Sequence, residues 1–122
     1  MSLFDFSGIC ALRGAACVSS DTQQEVDRVT SILLEKLFLA NKLALSRVAF
    51  MQFSVTEDIR SWNPATSARL SGYKVPLFCV REAEFDGSMK HCIRVVILYR
   101  GVIRKPAHVY CEGAESLRPD LS

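Results

Sequence analysis

The sequence predicts an α+β fold in which a mixed β-sheet carries one long and one short helix. Segments rich in β-branched and aromatic residues recur along the chain, and one long stretch spaces its apolar residues by three and four. The predicted order of elements is β-α-β-α-β-β-β. Because 122 residues with 49% hydrophobic content suffice for one core, we expect a single domain over residues 1–122.

The first part of the chain contains a strand and the long helix. Residues 9–18, ICALRGAACV, predict a strand that ends at Gly14. The segment TQQE at residues 22–25 then fits a capping box, in which the two end side chains bond to each other's backbone N–H groups. Apolar residues on one helical stripe follow, so a helix is expected over about residues 22–41, with Asn41 at its end.

The second part of the chain contains the short helix and four strands. Asn63 and Pro64 are a typical helix cap and first turn, and Gly72 closes the short helix. The strands are predicted at residues 48–55, 75–83, 91–100 and 107–112.

The charge composition favours a small acidic ligand. The net charge is only +2, which by itself does not indicate a nucleic-acid partner, but ten of the fifteen basic residues are arginine. Arginine presents a planar fork that matches carboxylates and phosphates. An acidic metabolite is therefore a reasonable partner.

The cysteines and the N-terminal segment indicate a cytoplasmic protein. The five cysteines are odd in number and form no C-x-x-C pair, as expected for thiols in a reducing compartment. The first ten residues lack the basic region of a secretory signal. No apolar run approaches the ~20 residues of a membrane span.

Arg94 interrupts the apolar strand HCIRVVILYR. At a period of two it shares a strand face with Cys92, Val96 and Leu98. A guanidinium among apolar side chains needs an anionic partner, which is either a protein carboxylate or a ligand. Taken alone, the residue favours a structural role, either in an ion pair or as an arginine that reaches out past a sheet edge.

Glu82 closes the strand VPLFCVREA and is either an exposed strand end or the partner of an arginine. Cys79 lies three positions earlier, so an ideal strand directs it to the opposite face. A bulge or a subunit boundary is needed to bring both to one site. Arg13 and Tyr110, taken singly, are compatible with solvation and with core packing.

Histidine and cysteine residues near the strand ends raise the question of zinc. His91 and Cys92 are adjacent and point to opposite faces of a strand. His108 and Cys111 are three positions apart, so they also point to opposite faces. Because zinc requires ligands that converge in a tetrahedron, no metal site is predicted. The sequence also lacks the common phosphate-loop, dinucleotide and nucleophile-elbow motifs.

Five short segments occur in a specific order. They are LRGAA at 12–16, DT at 21–22, KHCIRV at 90–95, HVY at 108–110 and LRPDLS at 117–122. Together they resemble the small, trimeric, barrel-like class of monofunctional chorismate mutase, which is unrelated in fold to the all-helical mutases. The combination is specific, although no single segment is, and the resemblance extends over about residues 11–122.

The resemblance implies a homotrimer whose sheets assemble into a pseudo-α/β-barrel, with active sites at the three subunit interfaces. It implies the rearrangement of chorismate to prephenate, the branch step toward phenylalanine and tyrosine. This [3,3] shift is concerted and requires no metal or organic cofactor. We expect the trimer to bury apolar strand residues, namely Phe50, Phe53, Ile97 and Tyr99.

The resemblance also assigns site residues. Arg94 matches the arginine that stabilises the ether oxygen, and Glu82 matches the glutamate that accepts the ring hydroxyl; these two are the expected catalytic residues. Cys79 matches a residue that contacts the same hydroxyl. The other positions that match substrate-binding residues are Arg13 and Tyr110 at a carboxylate, Phe78, Val80 and Arg81 along the pocket, Arg69 from the neighbouring chain, and Arg118 in the C-terminal tail.

Two positions depart from the family pattern. Asn63 stands where an aromatic residue is expected, and Thr66 stands where a basic residue is common. Both changes concern the site entrance and therefore substrate affinity. The alternatives are a non-catalytic trimer that binds an aromatic-pathway acid and a small enamine/imine deaminase, but Glu82 and Arg94 favour the mutase.

Overall fold

A five-stranded mixed sheet carries two helices, and the predicted order of elements is confirmed. The computed structural model describes residues 8–118. Two short 3₁₀ turns, Leu45–Arg47 and Glu115–Leu117, accompany the main elements. The main elements are β1 (Ile9–Cys17), α1 (Gln23–Asn41), β2 (Val48–Val55), α2 (Pro64–Leu70), β3 (Leu77–Arg81), β4 (Cys92–Arg100) and β5 (Val109–Cys111).

β4 is the central strand of the sheet. The strand order is β3-β2-β4-β1-β5. β4 pairs antiparallel with β1 and β2, whereas β5 pairs parallel with β1, and β3 pairs parallel with β2. A residue in the middle of β4 therefore lies at the middle of the whole sheet.

Helices α1 and α2 cover one face of this sheet. Alternate residues of β4, Ile93, Val95 and Ile97, are buried in the core that also contains the apolar stripe of α1. The opposite face has a small buried cluster at one end, formed by Ala15, Cys92 and Ala114. Elsewhere this second face carries exposed apolar side chains: Phe78 at 45%, Val80 at 40% and Val96 at 36% exposure. We refer to it as the open face.

The start of α1 uses half of the predicted capping box. Thr22 Oγ1 accepts a hydrogen bond from the Glu25 N–H at 3.2 Å. The Glu25 carboxylate does not return to Thr22; it accepts from the Ser19 N–H and hydroxyl, at 3.0 and 2.8 Å, and from Arg28. The Arg28 guanidinium, followed by Ser19, holds the pKa of the Glu25 carboxyl at about 2.

The end of α1 is also where the sequence predicts it. Lys42 adopts a left-handed backbone, with φ of 52°, and closes the helix. The Asn41 side chain then binds the loop before β5, because it donates to the Ala107 carbonyl and accepts from the Ala107 N–H, at 2.9 and 2.7 Å.

β1 does not end at Gly14, contrary to the sequence prediction. Its pairing with β4 continues to Cys17, which lies opposite Cys92. Gly14 is required for packing: a Cβ atom there would lie 2.9 Å from Leu33 Cδ1 and 2.9 Å from the Val109 carbonyl oxygen. The glycine therefore lets α1 and β5 approach β1 closely.

Three of the four expected trimer contacts lie in the chain's own core instead: Phe53 and Ile97 are fully buried, and Tyr99 is 6% exposed. The half-buried Phe50 lies on the open face, where its ring is 6.1 Å from that of Phe78. Parity along a strand divides residues into two sets, but it does not tell which set the helices cover. Within residues 8–118, every helix is too short or too polar to span a membrane.

Replacing Gly14 by alanine should destabilise the protein by about 1–3 kcal/mol, because the added methyl group overpacks the contact of β1 with α1 and β5. Thermal denaturation measures this loss. Gly87→Asn is the control, because Gly87 has open space around its Cβ position and asparagine tolerates its positive φ. Equal losses for both variants would contradict the packing explanation.

Candidate functional site

A row of side-by-side residues crosses the sheet on its open face. Strand register places Ala15 and Ser54 on either side of Arg94. The row continues to Tyr110 on β5 and to Val80 on β3. Five strands thus contribute one residue each, and Arg94 occupies the centre.

A cleft of about 250 Å³ lies over this row. Four of the predicted site residues line it: Arg13, Arg94, Tyr110 and Arg118. Three of the four are arginines, so the cleft offers a concentration of positive charge to an anionic ligand. The remaining residues of the LRPDLS motif, 119–122, lie outside the described part of the chain.

Arg94 has the anionic partner that its position in β4 predicted. Its Nε atom lies 3.2 Å from Oε2 of Glu82. The Nε atom is buried but makes no hydrogen bond within residues 8–118, so the contact with Glu82 is electrostatic and poorly aligned. The ion pair proposed as the structural alternative is therefore present, and it joins the two residues that were assigned to catalysis.

Glu82 reaches Arg94 because β3 ends one residue before it. The Glu82 N–H still donates to the Val55 carbonyl at 2.9 Å, which fixes the backbone beside β2. The Ser54 hydroxyl donates to Oε2 of Glu82 at 2.8 Å. Glu82 itself borders a smaller pocket of about 50 Å³ and contacts the main cleft through Ser54 and Arg94.

The side chain of Arg94 is 43% exposed in the single chain. The apolar neighbours of Arg94 along β4 therefore do not bury its side chain in the isolated chain. Its neighbour on the same face, Val96, is 36% exposed. Helices α1 and α2, which bury the other face of β4, do not extend over the open face.

The backbone of Arg13 is held by a histidine at the edge of the cleft. The Arg13 N–H donates to Nδ1 of His108 at 3.1 Å. Burial lowers the pKa of His108, and the charges of Arg13 and Arg118 lower that pKa further. A neutral His108 keeps Nδ1 available as the acceptor.

Cys79 lies on the face of β3 that is turned away from the open face, on which Glu82 contacts Arg94. β2 and β3 pair without interruption from Met51–Leu77 to Val55–Arg81, so no bulge redirects it. Burial raises the pKa of the Cys79 thiol, which is therefore neutral near pH 7. Within one chain, Cys79 and Glu82 do not meet in one site.

A second cleft, of about 530 Å³, contains Cys79 together with Val80 and Arg81. Arg81 donates to the Thr56 and Ile59 carbonyls at 2.9 and 2.8 Å and so holds the loop before α2. That loop and the start of α2 supply the remaining lining, which includes Trp62, Asn63 and Thr66.

The remaining predicted residues lie apart from both clefts. Arg69, in the last turn of α2, borders a depression of about 590 Å³ with Leu70, Lys74, Val75 and Pro76. Phe78 is exposed on the open face. The predicted site residues are thus distributed over separate surfaces of one chain.

Asn63, one of the two departures from the family pattern, has a structural role. Its Oδ1 accepts the Ala65 N–H at 2.8 Å and caps α2, as the sequence predicted. Thr66 follows in the first turn and lines the second cleft.

Sequence reasoning missed Ser54 and Gln52, which both line the main cleft. In the strand VAFMQFSV, these two polar residues alternate with the buried Met51, Phe53 and Val55. That alternation was a signal that the polar pair faces away from the core.

The cysteines and histidines form no metal centre in the part of the chain that the structure describes. No group of three His, Cys, Asp or Glu side chains there could hold a metal ion. All five cysteines are free thiols.

Comparison with known proteins gives a consistent family assignment. Residues 9–121 match the family model described as chorismate mutase type I. The chain is similar to chorismate mutase AroH of Bacillus subtilis, with 38% identity over 118 residues that cover 93% of each protein. It is also similar to AroH of Thermus thermophilus, with 39% identity over 114 residues, or 90% of this chain and 93% of that protein.

A solved structure supports the same assignment at the level of the fold. The chain superposes on a chorismate mutase from Clostridium thermocellum with a TM-score of 0.83 and 34% sequence identity. The match covers 88% of this chain and 98% of the other.

Lowering the pH should loosen the edge of the main cleft through His108. Its folded pKa lies below the ordinary value of 6.5, so the unfolded chain binds the proton more readily. The stability that neutral His108 contributes is therefore present above pH 6.5 and is lost as the pH falls below it. His108→Asn keeps an acceptor without titrating, and melting temperatures at about pH 7.5 and 5.5 should differ less in this variant than in the wild type. If the two melting temperatures differ as much in the variant as in the wild type, His108 does not contribute to the acid response.

Proposed function

The chain belongs to the type I chorismate mutase family, and from that membership we propose how its residues rearrange chorismate to prephenate. It is an isomerase of aromatic amino acid biosynthesis. We take residues 1–122 as one catalytic domain that works in the cytoplasm. The observation that carries the mechanism is the position of Arg94 at the centre of the open face, 3.2 Å from the Glu82 carboxylate.

The reaction sets two physical demands. In the concerted [3,3] shift, a C–O ether bond breaks while a C–C bond forms, so the substrate must be held in a compact conformation. Negative charge develops on the ether oxygen as the bond lengthens. A fixed cation at that oxygen therefore stabilises the transition state more than the substrate. Neither demand requires a metal or an organic cofactor.

Arg94 supplies the cation, and Glu82 binds the ring. The guanidinium of Arg94 is part of the cleft lining and is held in the central strand, so its charge is fixed before the reaction. Glu82 accepts the ring hydroxyl of chorismate and places negative charge near the ring as positive charge grows on it. Both roles are consistent with the contact between the two side chains.

Arg13, Tyr110 and Arg118 bind substrate carboxylates. They line the same cleft as Arg94, and an arginine fork matches a carboxylate. This binding provides orientation in both the ground state and the transition state.

We infer that a neighbouring chain completes each site and that the enzyme is a homotrimer. Cys79 of β3 and Glu82, which follows β3, are directed to opposite sides of the sheet, so a site that uses both residues needs two copies of the chain. The exposed Phe78, Val80 and Val96 provide apolar area that such an assembly would cover. The second copy contributes the surface that holds Cys79, Val80 and Arg81, together with Arg69 and Phe78.

The test of function is the loss of chorismate absorbance with purified protein, measured with and without a chelator. Turnover that persists with the chelator supports the cofactor-free mechanism. Binding of chorismate without turnover would instead support the non-catalytic trimer. Loss of activity with EDTA that zinc restores would contradict the absence of a metal.

Replacing Arg94 by citrulline or lysine should lower kcat by at least about 10²–10³-fold, because the charge acts where negative charge develops. Citrulline keeps the shape and hydrogen bonding, and lysine keeps the charge without the fork. Arg13→Ala should raise KM at least as much as it lowers kcat, because a carboxylate is present in both states. A fully active but less thermostable Arg94→Lys would show that Arg94 has only a structural role.

Mixing two inactive variants should restore activity if two chains form each site. Arg94→Ala removes the cleft residue, and Arg69→Ala removes a residue assigned to the neighbouring copy. After joint refolding in equal amounts, about one site in four combines an intact Arg94 from one chain with an intact Arg69 from its neighbour. Steady-state rates measure the recovery, and each variant refolded alone is the control. Absence of recovery in trimers shown to be mixed would contradict the shared site.

A further inference from the structure

We propose that Ser54 is a positioning residue for Glu82, which it holds in the orientation that leaves both the glutamate and Arg94 available to the substrate. The inference rests on the catalytic roles proposed for those two residues. It adds a function for Ser54, which the family resemblance does not assign.

The strand order places Ser54 between the two catalytic residues. β2 lies between β3 and β4, and Ser54 is opposite Arg94 on one side and Val80 on the other. Glu82 follows β3 and turns toward β4 across the end of β2. Ser54 is therefore the residue over which the Glu82 side chain must pass to reach Arg94.

The contacts differ in their ability to orient the carboxylate. The Ser54 hydroxyl donates to Oε2 of Glu82 at 2.8 Å, which is a hydrogen bond of ordinary length. Arg94 Nε lies 3.2 Å from the same oxygen but makes no hydrogen bond. The Ser54 bond is thus the directional contact of the carboxylate, and the ion pair alone does not fix its rotation.

This arrangement gives the two carboxylate oxygens of Glu82 different roles. Ser54 and Arg94 both contact Oε2. Within residues 8–118, Oε1 has no hydrogen-bond or ion-pair partner, so it remains free to accept a hydroxyl from the substrate. A carboxylate with one bound and one free oxygen is suited to bind a ring hydroxyl in one orientation.

Ser54 also limits how strongly Glu82 pairs with Arg94. A carboxylate that is free to rotate would form the bidentate contact that arginine favours. That contact would occupy the guanidinium N–H groups and offset the charge that the ether oxygen requires. By holding Oε2, Ser54 keeps the pair misaligned and so preserves the electrostatic effect of Arg94 on the transition state.

The competing explanation is that Ser54 only joins β2 to the end of β3. A double-mutant cycle with Ser54→Ala, Glu82→Ala and the double variant separates the two, with kcat and KM for chorismate as the readout. We expect Ser54→Ala to lower kcat by about tenfold and to change KM by less than about threefold, since orientation is lost rather than binding. In the Glu82→Ala background, the Ser54→Ala change should alter kcat by less than about twofold, because the carboxylate that Ser54 orients is absent.

Two further variants complete the test. Ser54→Thr keeps the hydroxyl and should have a kcat closer to that of the wild type than Ser54→Ala has. Ser67→Ala is the matched control, because Ser67 also donates its hydroxyl to a carboxylate, that of Asp27, at the contact of α2 with α1. It should lower the melting temperature and leave kcat unchanged.

The outcomes distinguish this inference from the proposed function. If the wild-type enzyme does not turn over chorismate, both the proposed function and this inference are contradicted. An active wild type in which Ser54→Ala lowers kcat by the same factor with and without Glu82 would overturn the inference alone. A Ser54→Ala variant that behaves like Ser67→Ala, less stable but with normal kcat, would also overturn it.

Discussion

The ion pair between Arg94 and Glu82 depends on the fact that helices α1 and α2 cover one face of the sheet and do not extend over the open face. β4 is the central strand, and its alternate residues Ile93, Val95 and Ile97 are buried beneath the helices. A guanidinium on that side would lose its hydration without compensation. On the open face, the same strand presents Arg94 to a cleft and to a carboxylate. The helical layer thus covers the core, and the proposed chemistry takes place on the open face.

Much of the fold could be predicted from local patterns. Thr22 and Asn63 cap the two helices as expected, because a cap is decided by a few neighbouring residues. Gly14 was misread as a strand end, because its reason is a close approach of Leu33, a residue distant in sequence. Phe53 and Ile97 were assigned to a subunit contact because their burial also depends on residues that are distant in sequence. Periodicity separates two faces but does not identify the one on which the helix packs.

The site could be predicted only in part. The apolar surroundings of Arg94 in sequence required an anionic partner, and the partner is Glu82. Physical reasoning alone could not choose Glu82, because the two strands meet only through the order β3-β2-β4, which a local pattern does not contain. The family resemblance placed Arg94 and Glu82 in one site, but it did not pair the two side chains. It did not supply Ser54, whose position becomes meaningful only when β2 is known to lie between the other two strands.

β3 explains why one chain holds the predicted residues apart. It is an edge strand, and its alternation directs Cys79 away from the open face, on which Phe78 and Val80 are exposed. Cys79 and Val80 both line the cleft beside α2. One edge strand of five residues therefore contributes to two different surfaces. Because a strand does not bring both faces to one ligand, residues from both faces contribute to equivalent sites only when copies of the chain repeat around an axis. In the proposed trimer, β3 thus contributes Cys79 to one site, and the residue that follows β3, Glu82, belongs to another.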